Sequence, residues 1–205
     1  MGECEALLQF SHSFIIMRNA SGYGCGNTYT SSVCCSVTSY PKTASWKNGT
    51  GCCSWDGVTC HRATNYVTGL DLSRSWLQGT FHSNSMLFSL PNLRWLNLAG
   101  CNFYGSQISP KLPSTLTSLS LGFCDLRGIF PLAIFHFANL RGLSLFQNIY
   151  PKGTISRANW TSPLISLDLS DTNFHGSIPT SLRNLTSVEH LDLWYWSNPT
   201  DTWKP

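Results

Sequence analysis

Apolar residues fall in a fixed rhythm along this 205-residue chain. From residue 67 onward the pattern L-x-x-L-x-L returns six times. It reads Val67-Leu70-Leu72, Leu93-Leu96-Leu98, Leu116-Leu119-Leu121, Leu140-Leu143-Leu145, Leu164-Leu167-Leu169 and Val188-Leu191-Leu193. The second position advances by 26, 23, 24, 24 and 24 residues, which marks a repeat architecture. Within each unit L-x-L predicts a short strand with alternate side chains turned inward. The remaining aliphatic lies on the incoming chain and fills the same core layer. Eight residues after each start, a ladder position is expected to hold a side chain that hydrogen-bonds the backbone of neighbouring coils. It holds Ser75, Cys101, Cys124, Asn148, Thr172 and Trp196, and the last of these breaks the rule. Two residues further on stand Leu77, Phe103, Leu126, Tyr150 and Phe174. Turn glycines follow: Gly79, Gly105, Gly128 and Gly176, with Gly153 shifted by one.

Each coil buries three or four aliphatic side chains, worth about 1.5–3 kcal/mol apiece. No coil covers its own two faces, so the stack depends on its neighbours and needs capped ends. Residues 3–18 carry Ala6, Leu7, Phe10 and Phe14 at helical spacing, which predicts a helix over 3–18 laid on the first coil. At the other end no cap is legible, and Trp194, Tyr195, Trp196 and Trp203 are left without an assigned place. The expectation is an α/β repeat solenoid whose sixth strand leaves an open edge.

Composition narrows the function. Charged residues make up 11% of the chain and the formal net charge is +3, which argues against a nucleic-acid partner. A hydrophobic content of 42% excludes a disordered chain. The longest strictly apolar run is Phe14-Ile15-Ile16-Met17, far short of a membrane span, so direct membrane insertion is not expected. The start Met1-Gly2-Glu3-Cys4-Glu5 has neither the basic region nor the apolar core of a secretory leader. Ala6 also spoils a myristoylation signal.

Seven of the nine cysteines lie in the first 60 residues: Cys4, Cys25, Cys34, Cys35, Cys52, Cys53 and Cys60. Such clustering reads as a disulfide-stapled cap made in an oxidising compartment. The doublets Cys34-Cys35 and Cys52-Cys53 do not fit the paired spacing of a zinc site, so no metal is expected. Cys101 and Cys124 fall on ladder positions, where a thiol packs as a small buried hydrophobe. Sequons at Asn19, Asn48, Asn159 and Asn184 are expected glycosylation sites, while Pro199 spoils Asn198. Together with the cysteines they point to export, so a leader is expected upstream of Met1 in the gene product.

Six histidines occur without a nucleophile elbow, a zinc-protease motif or a glycine-rich phosphate loop. Asp71, Asp168 and Asp192 recur at one strand position, with Asn97, Ser120 and Ser144 between the first and the others. Asp168 and Asp192 would neighbour each other, yet nothing supplies a nucleophile beside them, and polar alternation on an exposed sheet accounts for them. Neither catalysis nor a cofactor is expected.

The opening Cys4-Glu5-Ala6-Leu7-Leu8-Gln9-Phe10, the stretch Tyr40-Pro41-Lys42-Thr43-Ala44-Ser45-Trp46, and Cys52-Cys53-Ser54-Trp55-Asp56-Gly57-Val58-Thr59-Cys60 resemble the N-terminal cap of plant extracellular leucine-rich-repeat proteins. The repeats resemble that family's form L-x-x-L-x-L-x-x-N-x-L-x-G-x-I-P, best in Leu164 to Pro179. The branch most similar is that of receptor-like proteins, with the tomato Cf-type disease-resistance receptors. The resemblance implies a right-handed coil with a parallel concave sheet and a disulfide-bonded cap. It divides the chain into a cap (1–62), about six repeats (63–198) and a truncated tail (199–205). It implies an N-terminal piece of a glycosylated cell-surface receptor in plant defence or developmental signalling. That receptor would bind an extracellular protein or peptide and act through a receptor-kinase co-receptor. It further implies Cys4 paired with Cys52 and Cys53 with Cys60, worth about 4 and about 2.5 kcal/mol. Trp46 and Trp55 would be buried beside them. The Gly/Ser/Thr-rich insertion at about 20–39, with Cys25, Cys34 and Cys35, has no counterpart in the family cap. The rival readings are a secreted inhibitor like those of polygalacturonases, and a truncated, non-functional gene product.

In such a coil the non-leucine strand positions face outward on the concave side, where repeat proteins bind. Trp95, Phe123, Phe146, Trp194 and Tyr195 stand there beside Arg94, Arg141 and Asp171 and resemble an interaction hot spot, with Gln147 and His190 on the same face. The plainer reading of Trp194 and Tyr195 is packing against later coils.

Overall fold

The computed structural model describes residues 2–21, 38–148, 160–174 and 180–194. Every motif aliphatic from Val67 to Leu169 is buried, none more than 2% exposed. The strands they form are β3 (Val67–Asp71), β5 (Trp95–Asn97), β6 (Ser118–Ser120), β7 (Gly142–Ser144), β8 (Ser166–Asp168) and β9 (His190–Asp192). They run parallel and in register, so that Leu70, Leu96, Leu119, Leu143, Leu167 and Leu191 form one row. Short 3-10 turns return the chain behind this sheet at Met86–Ser89, Leu132–His136 and Thr180–Asn184. The first two bury Leu87, Ile134 and Phe135. In the sixth coil Val188 and Leu193 are only partly covered, and Leu191 is 47% exposed.

The ladder works by direct hydrogen bonding. Asn148 is fully buried; its side-chain amide donates to the carbonyls of Leu121 and Leu145 at 2.7 and 2.8 Å. Its Oδ1 accepts the amides of Cys124 and Leu126 at 3.2 and 3.0 Å. Cys101 donates to Leu72 and Cys124 to Leu98, each reaching back one coil at 3.3 and 3.1 Å. Thr172 turns instead to Leu169 of its own coil, and Ser75 to Ser73, so these two do not bridge coils. Burial pushes the Cys101 thiol up to about 12, and Cys124 stands well above the ordinary value for the same reason.

The cap opens with α1 (Glu3–His12), which buries Ala6, Leu7 and Phe10. The helix predicted over 3–18 therefore stops six residues early. Ser13 closes it by donating to Phe10, and β1 (Ile15–Ile16) leaves in extended form to pair antiparallel with β4 (Leu77–Gln78). Two β-branched residues beside an open strand gain ladder hydrogen bonds that outweigh continuing the helix. Phe14 still reaches the core and meets Phe10 edge-on at 5.0 Å. A second unpredicted strand, β2 (Val58–Cys60), adds antiparallel to β3, so the seven-stranded sheet begins with one reversed strand.

Disulfides join Cys4 to Cys52 and Cys53 to Cys60. Trp46 and Trp55 stack at 5.2 Å, and each indole N–H is satisfied, by the Asp56 carbonyl at 3.0 Å and by the Thr50 hydroxyl at 2.7 Å. The Glu3 carboxylate accepts the Val67 amide at 2.8 Å and so ties the first helical turn to the first repeat strand. Lys42 bridges to Asp71 at 3.1 Å. Trp76 gathers both ends of the insertion: its amide donates to the Ser21 hydroxyl at 3.1 Å and its indole to that of Ser39 at 2.5 Å. Cys25, Cys34 and Cys35 lie outside the described residues, as do Tyr150, Gly153, Gly176, Trp196, Trp203 and the tail 199–205.

Candidate functional site

The outward face of the sheet is laid out in rows that run across the strands. In the row just before the strands, Arg94 and Arg141 are exposed and flank Thr117, whose amide and hydroxyl both donate to the Arg94 carbonyl. Two strand spacings put their backbones about 10 Å apart. In the next row Trp95, Ser118, Gly142, Ser166 and His190 are in register. Trp95 does not stand up from this row. Its indole lies across the neighbouring strand above Gly69, where a Cβ would come within 1.9 Å of Cε2. Only glycine admits that arrangement, and it also explains why Gly69, an outward position, is buried.

A third row holds Asp71, Asn97, Ser120, Ser144, Asp168 and Asp192. The acidic and amide members cap the ends of their own strands. Oδ1 of Asp71, Asn97, Asp168 and Asp192 accepts the amide two residues on, at 2.9, 3.1, 3.1 and 3.0 Å. Asp168 takes two further hydrogen bonds, from the hydroxyls of Ser170 and Ser144 at 2.5 and 3.2 Å. Asp168 and Asp192 are register neighbours, but these side chains serve the backbone turn. Burial disfavours the Asp71 carboxylate, yet hydrogen bonds from Ser73 and from the Lys42 ammonium outweigh it and hold its carboxyl below the ordinary value.

At the corner after each strand the chain enters the left-handed region at Arg74, Gly100, Phe123, Gln147 and Asp171, with φ of 52, 74, 55, 53 and 51°. Each corner amide donates to the following coil: Arg74 to Ala99, Gly100 to Gly122, Phe123 to Phe146, Gln147 to Ser170 and Asp171 to Trp194. This shared conformation throws three of the candidate side chains, Phe123, Gln147 and Asp171, out along one edge of the sheet. Phe123 meets Phe146 edge-on at 4.7 Å, so these two form a single aromatic ridge. The spacing did not single out the corner; its one signal is Gly100 standing where the other coils carry larger residues.

His190 and Trp194 lie exposed at the last described strand, Trp194 at 69%, while Tyr195 falls outside the described residues. Of the sequons, Asn19, Asn48 and Asn184 are exposed, and Asn159 lies outside the described residues. A groove of about 560 Å³ opens at the sixth coil, lined by Leu182, Leu185, Val188 and Leu191 with Arg183 and Glu189. It offers apolar surface and no convergent set of reactive groups. Among the described residues no three potential metal ligands gather, and no helix is long and apolar enough to cross a membrane.

Comparison with known proteins gives the arrangement a family. The leucine rich repeat N-terminal domain matches residues 36–61, and the leucine rich repeat matches residues 92–114 and 163–185. Receptor-like protein Cf-9 of Solanum pimpinellifolium is 39% identical over 92% of this chain and 25% of its own length. A Cf-9 homolog of Solanum lycopersicum is 36% identical over the same shares. The chain thus spans about a quarter of the length of the curated relatives it matches. Among solved structures, the Arabidopsis receptor kinase HAESA, in complex with the peptide hormone IDA and the co-receptor SERK1, superposes with a TM-score of 0.71. It is 26% identical, over 95% of this chain and 29% of that one. Cap, coil and relatives agree: the chain carries a leucine-rich-repeat cap and leucine-rich-repeat coils and is similar to the plant receptor-like proteins of the tomato Cf type.

Proposed function

We propose that this chain supplies the cap and first coils of a non-catalytic recognition module on the outer side of the plant cell surface. It binds a protein or peptide ligand on the outward sheet face. The observation that carries this reading is the state of the side chains there. Those that the fold needs, such as Asp168 and Asn97, are engaged by their own turns. Arg94, Arg141, Gln147 and His190 meet no partner among the described residues, and Trp95 and the Phe123–Phe146 ridge are partly exposed beside them. Free cations next to half-exposed aromatics are the composition of an interface hot spot. HAESA, with a similar coil, is known in complex with a peptide hormone and a co-receptor, which supports a peptide ligand and a kinase co-receptor as partners here. Exposed Asn19, Asn48 and Asn184 are the glycosylation sites of this reading, and none lies on a sheet strand.

The test is selection of a displayed random-peptide library on the secreted, disulfide-bonded chain. Selected peptides are then measured against Trp95→Ala and Phe146→Ala on the sheet face and Ile129→Ala away from it. Binding lost only in the sheet-face variants supports the reading. Binding lost only in Ile129→Ala, or no selectable peptide, rejects it.

A further inference from the structure

The sheet face is divided by charge, and the division names the kind of ligand it takes. Across β5, β6 and β7 the outward positions carry Arg94 and Arg141 and no carboxylate. Neither guanidinium is in an ion pair among the described residues, where the two bridges are Lys42–Asp71 and Arg127–Asp125. The uncommitted neutral groups of the same strands add donors: the indole N–H of Trp95, the side-chain amide N–H of Asn97, and the hydroxyls of Ser118 and Ser120. Two of the acceptors there are consumed internally. Asn97 Oδ1 caps its own turn, and the Arg94 carbonyl takes two hydrogen bonds from Thr117 and a third from the Ser118 amide.

Across β8 and β9 the sign reverses. Asp168, Asp171 and Asp192 stand on the outward face, and no Lys or Arg shares it among the described residues. Oδ1 of Asp168 and of Asp192 is taken by the turn each caps, while both side chains stand on the outward face. The register row from Trp95 to His190 crosses four strand spacings, about 19 Å, which an extended chain of about six residues spans.

We propose that the ligand is a bipolar peptide lying across the strands, its acidic end over Arg94 and Arg141 and its basic end over Asp171 and Asp192. The proposal rests on the recognition reading above and adds the charge order of the ligand. An aromatic or proline residue between the two ends packs on Trp95 or on the Phe123–Phe146 ridge. Opposite charges placed in this order fix the direction in which the peptide lies, and they exclude the reversed or uniformly basic sequence by like-charge contact.

The experiment reads charge in the selected library. Enrichment of Asp and Glu at one end and of Lys and Arg at the other, about six residues apart, is the expected result. Binding of those peptides should fall about tenfold or more in Arg94→Glu/Arg141→Glu, and again as salt rises from about 0.05 to about 0.5 M. Both arginines are exposed, so an unchanged melting curve shows that the double variant is folded. In Asp171→Lys/Asp192→Lys the preference at the basic end alone should be lost. Sheet-face binders without this charge order, or an affinity that the arginine exchange leaves unchanged, overturn the inference while the recognition reading stands. A uronic-acid oligosaccharide that binds at the arginines better than the selected peptides also overturns it. Failure to select any sheet-face peptide overturns both.

Discussion

The cap and the coils hold their buried side chains by different means. In the cap two disulfides and a stacked tryptophan pair, with the Glu3 carboxylate reaching out to the Val67 amide of the first repeat strand, close contacts that no repetition could supply. From Val67 to Phe174 no crosslink is present among the described residues. Each coil is held by rows of leucines and by ladder bonds to the next. The difference separates covalent from cooperative stability. A cap defect removes the front closure at once, whereas a coil defect is felt by its immediate neighbours.

Cutting the long cap crosslink should have the largest effect. Replacing Cys4 and Cys52 together by Ser is expected to cost about 4 kcal/mol, read as a lower urea midpoint in a secreted, otherwise intact chain. If the midpoint does not move, the cap is held by packing alone and the contrast disappears. In the coils, Leu119→Ala at the middle of the leucine row should cost about 3 kcal/mol. The same truncation at half-exposed Leu191 should cost well under half of that.

Asn148→Ala comes next. It strips the amides of Cys124 and Leu126 of their acceptor inside the core, for a loss of about 2 kcal/mol. Cys124→Ala should cost less, because a thiol is a weak donor. Hydrogen exchange at the Cys124 and Leu126 amides checks the first of these directly. Smaller still is the join between cap and coils. Lys42→Met should cost less than about 1 kcal/mol, since the pair is partly open to solvent.

The sign of the pH dependence at that join follows from Asp71. Its carboxyl titrates lower in the folded chain, so its contribution is present above the usual carboxylate range and is lost as pH falls through the folded value. The smallest signal should come from the two buried thiols. Burial raises both far above neutral pH, so Cys101 and Cys124 should resist alkylation in the native chain and react once it is unfolded. Rapid native labelling of either would show that the coils open far more readily than the leucine rows allow.

Much of this architecture was legible in the chain. The leucine spacing yields the strands and the ladder positions, because a side chain that must be buried once per turn leaves a period in the sequence. What stayed hidden depends on contacts between distant residues. The helix stops at His12 because β4, more than 60 residues away, offers Ile15 and Ile16 a partner. Spacing placed Trp95 on the outward face, but only the approach of β3 shows that Gly69 lets the indole lie down. The reach of Phe123, Gln147 and Asp171 likewise comes from a left-handed corner that their identities do not announce.

Periodic burial is a local property repeated, so the amino-acid order by itself determined that this chain winds into a coil with one face of leucines and one of polar residues. Which outward groups remain free is settled by neighbours. Asp168 is occupied because Ser144 and Ser170 reach it, and Arg94 is open because no carboxylate among the described residues comes beside it. That choice requires coordinates, since a hydrogen bond forms only between atoms that the fold has brought within about 3 Å.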